Sequence, residues 1–435
     1  MTVTLETLPR EPLVAVAHEY MLLGMLSNQA TLPQTIMAGG TLDDLNDLAI
    51  DLWMGASPVY THRMRALMGI EGDDVPTIMK ALQLDVGFVH QYMYVHYLVN
   101  DPLHGEFWLE HCGALLNVEP HGEERVFGMC HTIEDPTFDA TAYATNPRAR
   151  IRPLHRPPRV PADREPHCHW TIIIDPDNEP VGPARLTQQV ADLPLASIAI
   201  EPRPDGDGYQ GAFDPDFRLT ATSDATLVAL AREFGTQTHL LMCSAEIALS
   251  ERFGAERARD LMADAWLATS WSASERLAKA LRASADGQSE EPGIGAGVAR
   301  AARRRRRQER EMSSGDGVDA DVATVLALHP AIPSGFERSV TVDGDHVRLT
   351  LTPESSALLD PDQPGWIGAL ARTERRGIEG MVQPIDGRAR VIDMVVSDGS
   401  VTVDVHIDPQ AEPVTEPDAV AFMRIGMLGS WKFEL

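Results

Sequence analysis

Cysteine is scarce, four in 435 residues, which excludes a disulfide-stapled scaffold. Positive charge is in deficit. Against 64 Asp and Glu stand 37 Lys and Arg, and the net charge of −27 repels phosphate backbones and anionic lipid. No apolar run approaches the ~20 residues of a membrane-spanning helix, and Glu6 and Glu11 interrupt any signal-peptide pattern before Pro12. Gly-x-Gly-x-x-Gly, a phosphate loop, Gly-x-Ser-x-Gly and His-Glu-x-x-His are all missing, so dinucleotide chemistry, nucleotide hydrolysis and zinc proteolysis lack support. The expectation is a soluble cytoplasmic protein that binds neither nucleic acid nor membrane. Hydrophobic residues, at 43%, are enough for a large core.

Apolar spacing predicts helix over most of 12–100, with Thr41-Leu-Asp-Asp as a capped helix start. Short segments then read as strands, namely Glu106–Cys112, Arg125–His131 and Cys168–Ile174. Residues 145–166, rich in Pro and Arg, read as an extended loop. A second helical block is predicted over 222–283, a disordered linker over 284–320 containing the basic run Arg303–Arg307, and further strands at His346–Thr352, Arg388–Val395 and Val401–Ile407.

Helices then strands, twice over, suggest an internal duplication. Asp47-Leu-Ala-Ile-Asp51-Leu-Trp53-Met-Gly-Ala-Ser57, followed by Arg63, matches Asp260-Leu-Met-Ala-Asp264-Ala-Trp266-Leu-Ala-Thr-Ser270, followed by Arg276. Arg148-Ala-Arg-Ile151 matches Arg388-Ala-Arg-Val391, and the Asp175-Pro segment matches Asp408-Pro. The expected fold class is α+β, two tandem repeats, each a helical bundle followed by a small, mostly antiparallel sheet. The helical part of repeat 1 spans 1–100 and its Cys/His-rich part 101–200. Repeat 2 has its helical part at 222–283 and a degenerate α/β part at 321–435. Trp53/Trp266 and Asp51/Asp264 recur, which marks them as structural.

The histidine and cysteine set of the first half does not recur at the matched positions of the second. Nine of the 15 histidines and three of the cysteines fall between His90 and His169, and each of those cysteines adjoins a histidine: His111-Cys112, Cys130-His131, His167-Cys168-His169. Such clustering suits a metal or redox site. One candidate is a thiolate site of Cys112, Cys130 and Cys168. The other is an imidazole site of His167 and His169 with His111 or His131. Thiolates favour zinc or an iron–sulfur cluster. The competing reading is that buried free cysteines are small hydrophobes. Glu134-Asp135, just after Cys130-His131, offers acids for proton transfer, against an ordinary turn. Arg156 and Arg159, with His155, can hold a substrate carboxylate or simply pair with surface acids.

The segment Phe234-Gly to Leu249-Ser-Glu-Arg-Phe-Gly254-Ala-Glu-Arg-Ala-Arg-Asp260, followed by a small α/β region, resembles the L-2-amino-thiazoline-4-carboxylic acid hydrolase-like family. The family's reactive cysteines and acid would correspond to Cys112, Cys130 with Asp135, and Cys168. The histidines beside each cysteine and the Pro/Arg loop depart from its pattern. The resemblance implies opening of a cyclic C–N bond. The expected protein is a metal-dependent enzyme on a small-molecule substrate, with metal on Cys112, Cys130, Cys168 and His169, proton transfer by Asp135 or His131, and substrate binding by His155, Arg156 and Arg159. An iron–sulfur redox or lyase enzyme and a non-catalytic sensor or scaffold are the alternatives, and a homo-oligomer is left open.

Overall fold

Two long helices open each half of the chain. The computed structural model describes residues 3–204, 206–285 and 321–426, so nearly all of the expected linker 284–320, with Arg303–Arg307, lies outside the described residues. Helix α1 spans Arg10–Met37 and α2 Leu42–Met68. Thr41 caps α2 as its sequence predicts: the Asp44 amide donates to Oγ1, and Asp44 Oδ2 accepts from the Thr41 amide (2.7 Å). Pro58 has no N–H for the Met54 carbonyl one turn back. The Thr187 hydroxyl donates to that carbonyl instead (3.0 Å), which docks the short α7 (Thr187–Ala191) on α2.

Between α2 and α7 the chain forms α3 (Val75–Leu82), strands β1 (Val95–Asp101) and β2 (His104–Leu109), α4 (Gly113–Val118), α5 (Glu123–Phe127), α6 (Glu134–Tyr143), β3 (Ala149–His155) and β4 (Cys168–Ile174). The second half repeats this order: α8 (Asp224–Phe253), α9 (Ala255–Ala285), α10 (Val322–Leu328), β5 (Phe336–Asp343), β6 (His346–Pro353), α11 (Gly365–Ala371), α12 (Arg376–Val382), β7 (Ala389–Ser397), β8 (Ser400–Ile407) and α13 (Asp418–Gly426). The fold is α+β, with a helical region before each sheet.

Both sheets are four-stranded and antiparallel, ordered β1-β2-β4-β3 and β5-β6-β8-β7. Registers correspond as well: Ala149 faces Ile174 and Ala389 faces Ile407, the spacing of the two Asp-Pro matches. Asn146 and Asp386 each accept from the amide two residues on (2.9 Å in both). Asp74 and Asp321 cap α3 and α10 through Thr77 and Thr324.

The halves are interleaved. Helix α1 packs on α8 and α9, and α2 packs on α8. Gly55 makes the α2–α8 crossing close, since a Cβ there would meet Ser244 Oγ at 2.2 Å. Two buried ion pairs cross the interface reciprocally: Arg63 of α2 holds Glu233 of α8 (2.8 Å), and Arg276 of α9 holds Glu19 of α1 (2.7 Å). Arg63 and Arg276 are the matched arginines of the repeated motif. The arrangement is that of an isologous dimer contained in one chain.

Several local expectations need correction. Arg125–His131 is not a strand: Glu123–Phe127 runs through a π-helical turn at Gly128–Ile133 into α6, burying Val126, Cys130 and Ile133 at helical spacing. Cys112 lies beyond the end of β2 and caps α4, accepting from the Leu115 amide (3.4 Å). Strand alternation separates a thiol from its neighbouring imidazoles only on β4, where Cys168, Trp170, Ile172 and Ile174 point inward. Arg152-Pro-Leu-His155 belongs to β3 rather than to a loop. As an edge strand bonded only to β4, β3 tolerates Pro153, whose missing donor costs the ladder little. Residues Val95–Asp101 are β1, not helix, and β5 adds a strand that the sequence pattern did not reveal.

Candidate active site

A cavity of about 360 Å3 lies in the first half, between the long helices and the sheet. One face of α1 lines it with Met25, Asn28, Gln29, Leu32 and Ile36, a helical stripe. Helix α2 adds Leu45, Ala49, Trp53 and Tyr60, and the sheet adds Leu109, Cys168 and Trp170. Phe422 of α13 reaches in from the second half. Gly87 lies so close under Trp53 that a Cβ would stand 2.7 Å from the indole, which fixes that wall.

Two carboxyl groups face this mostly apolar space. Helix α6 presents Glu134, Thr137, Phe138 and Thr141 at i, i+3, i+4 and i+7. Burial pushes the Glu134 carboxyl up to about 8; Arg156 opposes the shift and Asp135 adds to it. Among the described residues it has no hydrogen-bond or ion-pair partner. Asp85, between α3 and β1, accepts from the Tyr60 hydroxyl (3.0 Å) and the Gly87 amide (2.6 Å). Burial raises it to about 6, and those two bonds limit the rise. At neutral pH Glu134 is mainly protonated and Asp85 mainly ionised. One cavity thus holds an acid and a conjugate base.

The residues expected to transfer protons lie elsewhere on the same helix. Asp135, one position on from Glu134, turns away and pairs with Arg156. His131 stacks on Phe127 (4.1 Å between ring centroids) and bonds the Pro157 carbonyl through Nε2 (2.8 Å). Arg159 is held by Glu119 (2.9 Å), and His155 lies edge-on to His169 (6.2 Å). None of Asp135, His131, His155, Arg156 and Arg159 lines the cavity. Asp135 with Arg156 and Arg159 with Glu119 already form ion pairs.

Cys112, Cys130 and Cys168 are all buried, near enough to Glu134 and to one another for each charge to be felt by the rest. Burial, with Glu134 next, pushes the Cys112 thiol up to about 12 and the other two well above their ordinary range. They are thiols, not thiolates. Their sulfurs do not close to ligand spacing. His169 Nε2 lies 2.8 Å from a Glu106 carboxylate oxygen without hydrogen-bond geometry, while His167 sits by His111 (5.3 Å) and accepts the Cys112 amide through Nδ1 (3.1 Å). Burial first, then Arg159 and His111, hold His167 down near 4, so it is neutral. Among the described residues, the group whose ligand atoms all lie within 4.8 Å of one another is Asp345, His346 and His406, at an exposed hairpin of the second sheet. The sequence reading had given that half no such residues.

The equivalent space in the second half is filled. Trp266, matched to Trp53, stacks on His239 (4.9 Å), and Trp366 closes against both (6.1 and 5.9 Å). The spacing that aligns β3 with β7 puts Glu374 opposite Glu134. Glu374 pairs with Arg376 (2.9 Å), and hydrogen bonds to that arginine overcome partial burial to lower its carboxyl below the usual range. The matched position is a protonated acid in one half and a paired carboxylate in the other. Asp51 and Asp264 are structural in both, held by Arg252 (2.7 Å) and Arg376 (2.8 Å).

No family model, curated protein or solved structure matches the chain, and no described helix is long and apolar enough to cross a membrane.

Proposed function

We propose that the protein is an enzyme acting on a small organic molecule bound in the first-half cavity, with Glu134 as the proton donor. The observation that carries this reading is an unpartnered carboxyl, raised to about 8, facing an apolar cavity. Asp85 supports it as the ionised group of the same space. Hydrolysis of a C–N bond, the reaction the family resemblance implies, would use such a donor. Water adds to carbon, the C–N bond breaks, the Glu134 proton passes to the departing nitrogen, and the proton shed by water restores the carboxyl. The test is a thermal-shift screen of small organic molecules on the full chain, followed by product analysis on the binders. Glu134→Gln is expected to keep binding and lose turnover by at least a hundredfold. A binder that the wild type never converts would assign the cavity to a sensor, and undiminished turnover in Glu134→Gln would remove Glu134 from the mechanism.

A metal-dependent reading is second. Cys112, Cys130, Cys168 and Glu134 share one neighbourhood, and a set of three thiols and a carboxylate suits zinc or an iron–sulfur cluster. It requires the sulfurs to draw together and lose their protons as metal binds.

A further inference from the structure

Arg125 also lines the cavity, and it is the charged group there with nothing to neutralise it. Among the described residues no carboxylate lies within ion-pair distance of its guanidinium. Its Nη1 is buried without a hydrogen-bond partner. Burial pulls its pKa down, and the only group opposing that is the Cys130 thiol. In a chain with 64 acids an arginine would ordinarily find one, as Arg152, Arg156 and Arg159 do nearby. An unpaired cation at a cavity wall costs stability unless a ligand supplies the counter-charge. Besides Asp85 and Glu134, the wall is largely apolar and carries the aromatic rings of Trp53, Phe88, Phe138 and Trp170.

We infer that the cavity takes an organic carboxylate with an apolar or aromatic body, its carboxylate bound by Arg125 and its body packed against those rings. The inference rests on the reading of this cavity as the ligand site and names the substrate class. Guanidinium meets carboxylate in the bidentate geometry that favours it over a neutral amide. Glu134 lies nine residues beyond Arg125 along the same helical run, at the start of α6. A ligand anchored at Arg125 leaves Glu134 free to protonate another atom.

The experiment compares acids with their amides on the full chain: benzoate, phenylacetate, 4-phenylbutyrate and octanoate, each beside its primary amide, by calorimetric titration at pH 7. At least one acid is expected to bind ten times or more tighter than its amide. Arg125→Gln is expected to erase that preference, and Arg125→Lys to keep part of it. Free of ligand, Arg125→Gln is expected to melt at the same or a higher temperature, because it removes a half-buried charge that has no ion-pair partner among the described residues. Amides binding as well as acids, no acid binding below 10 mM, or a preference that survives Arg125→Gln would overturn the inference. So would unfolding of Arg125→Gln, since that would show the arginine to be structurally paired. Glu134→Gln separates the two claims: it should leave the acid–amide preference unchanged. If Arg125→Gln has no effect while Glu134→Gln still blocks turnover, the catalytic reading stands without the carboxylate.

Discussion

Glu134→Gln has a consequence that needs no substrate. A carboxyl raised to about 8 in the folded state holds a proton that the unfolded chain has already released. The folded state therefore loses stability as pH rises from the unfolded value towards 8. With an unfolded pKa of about 4.3, keeping Glu134 protonated costs about 1 kcal/mol at pH 5 and about 3–4 kcal/mol at pH 7. Glutamine occupies the same space and carries no titratable proton, so it removes the pH-dependent part and adds an offset that does not vary with pH. The stability difference between variant and wild type should move in favour of the variant by about 2–3 kcal/mol between pH 5 and pH 7. For a chain of this length that is a relative gain of about 3 °C in melting temperature. Parallel melts of both proteins at half-unit steps from pH 5 to pH 8 measure it. A difference constant across that range would show that Glu134 is an ordinary solvated carboxylate, and the catalytic assignment would fall with it.

Three further outcomes follow from the same structure. Arg63→Met and Arg276→Met each strand a buried carboxylate, Glu233 at 4% and Glu19 at 1% side-chain exposure, and each should cost about 3–5 kcal/mol in chemical denaturation; losses below about 1 kcal/mol would mean that water reaches the pairs. If the second reading holds, protein purified without oxygen contains zinc or iron that Cys112→Ser, Cys130→Ser or Cys168→Ser releases and Cys243→Ser retains; metal lost instead from His346→Ala or His406→Ala belongs to the hairpin of the second sheet. A chain ending at Ala285 should aggregate, because α11 and α12 cover α8 and α9 with Trp366, Ile378 and Met381; a soluble product melting like the full chain would disprove the interleaving.

The helix-then-sheet order of the two halves was legible in the sequence because local backbone geometry fixes it. The Asp-Pro turns, the Arg-Ala-Arg strand starts and the Asp-x-x-x-Asp-x-Trp helix face must recur wherever the same elements are built. The alternation in Cys168–Ile174 is likewise a direct record of a strand with one buried face. Cys130 was misread because a short apolar run does not declare its period, and its burial partners, Val126 and Ile133, lie at helical rather than strand spacing. That error moved the proposed acid by one residue. Reading 125–131 as a strand removes the helical phase that sets Glu134 inward and Asp135 outward. Arg156 and Arg159 looked available and Arg125 did not attract notice, because ion pairing is decided by which chains meet in space. The cavity itself is a failure to fill volume, and no single residue encodes it.

At two matched pairs, Glu134/Glu374 and Trp53/Trp266, only the environments differ. Glu134 and Glu374 have the same side chain, yet one is protonated in an apolar wall and the other is neutralised by Arg376. Trp53 borders open space where Trp266 is locked against His239 and Trp366. A cavity of this size forfeits packing contacts, and an unpartnered acid and an unpaired arginine add several kcal/mol more. A domain standing alone would be hard pressed to carry that load, given a typical net stability of about 5–15 kcal/mol. Here the first half shares its helical core with a second that is filled and internally neutralised, through α1 on α8 and α9 and the crossed pairs Arg63–Glu233 and Arg276–Glu19. The second half therefore bears on the first half's cavity in two ways: it shares the helical core that offsets the cost of an unpartnered Glu134 and Arg125, and through Phe422 it forms part of the cavity wall.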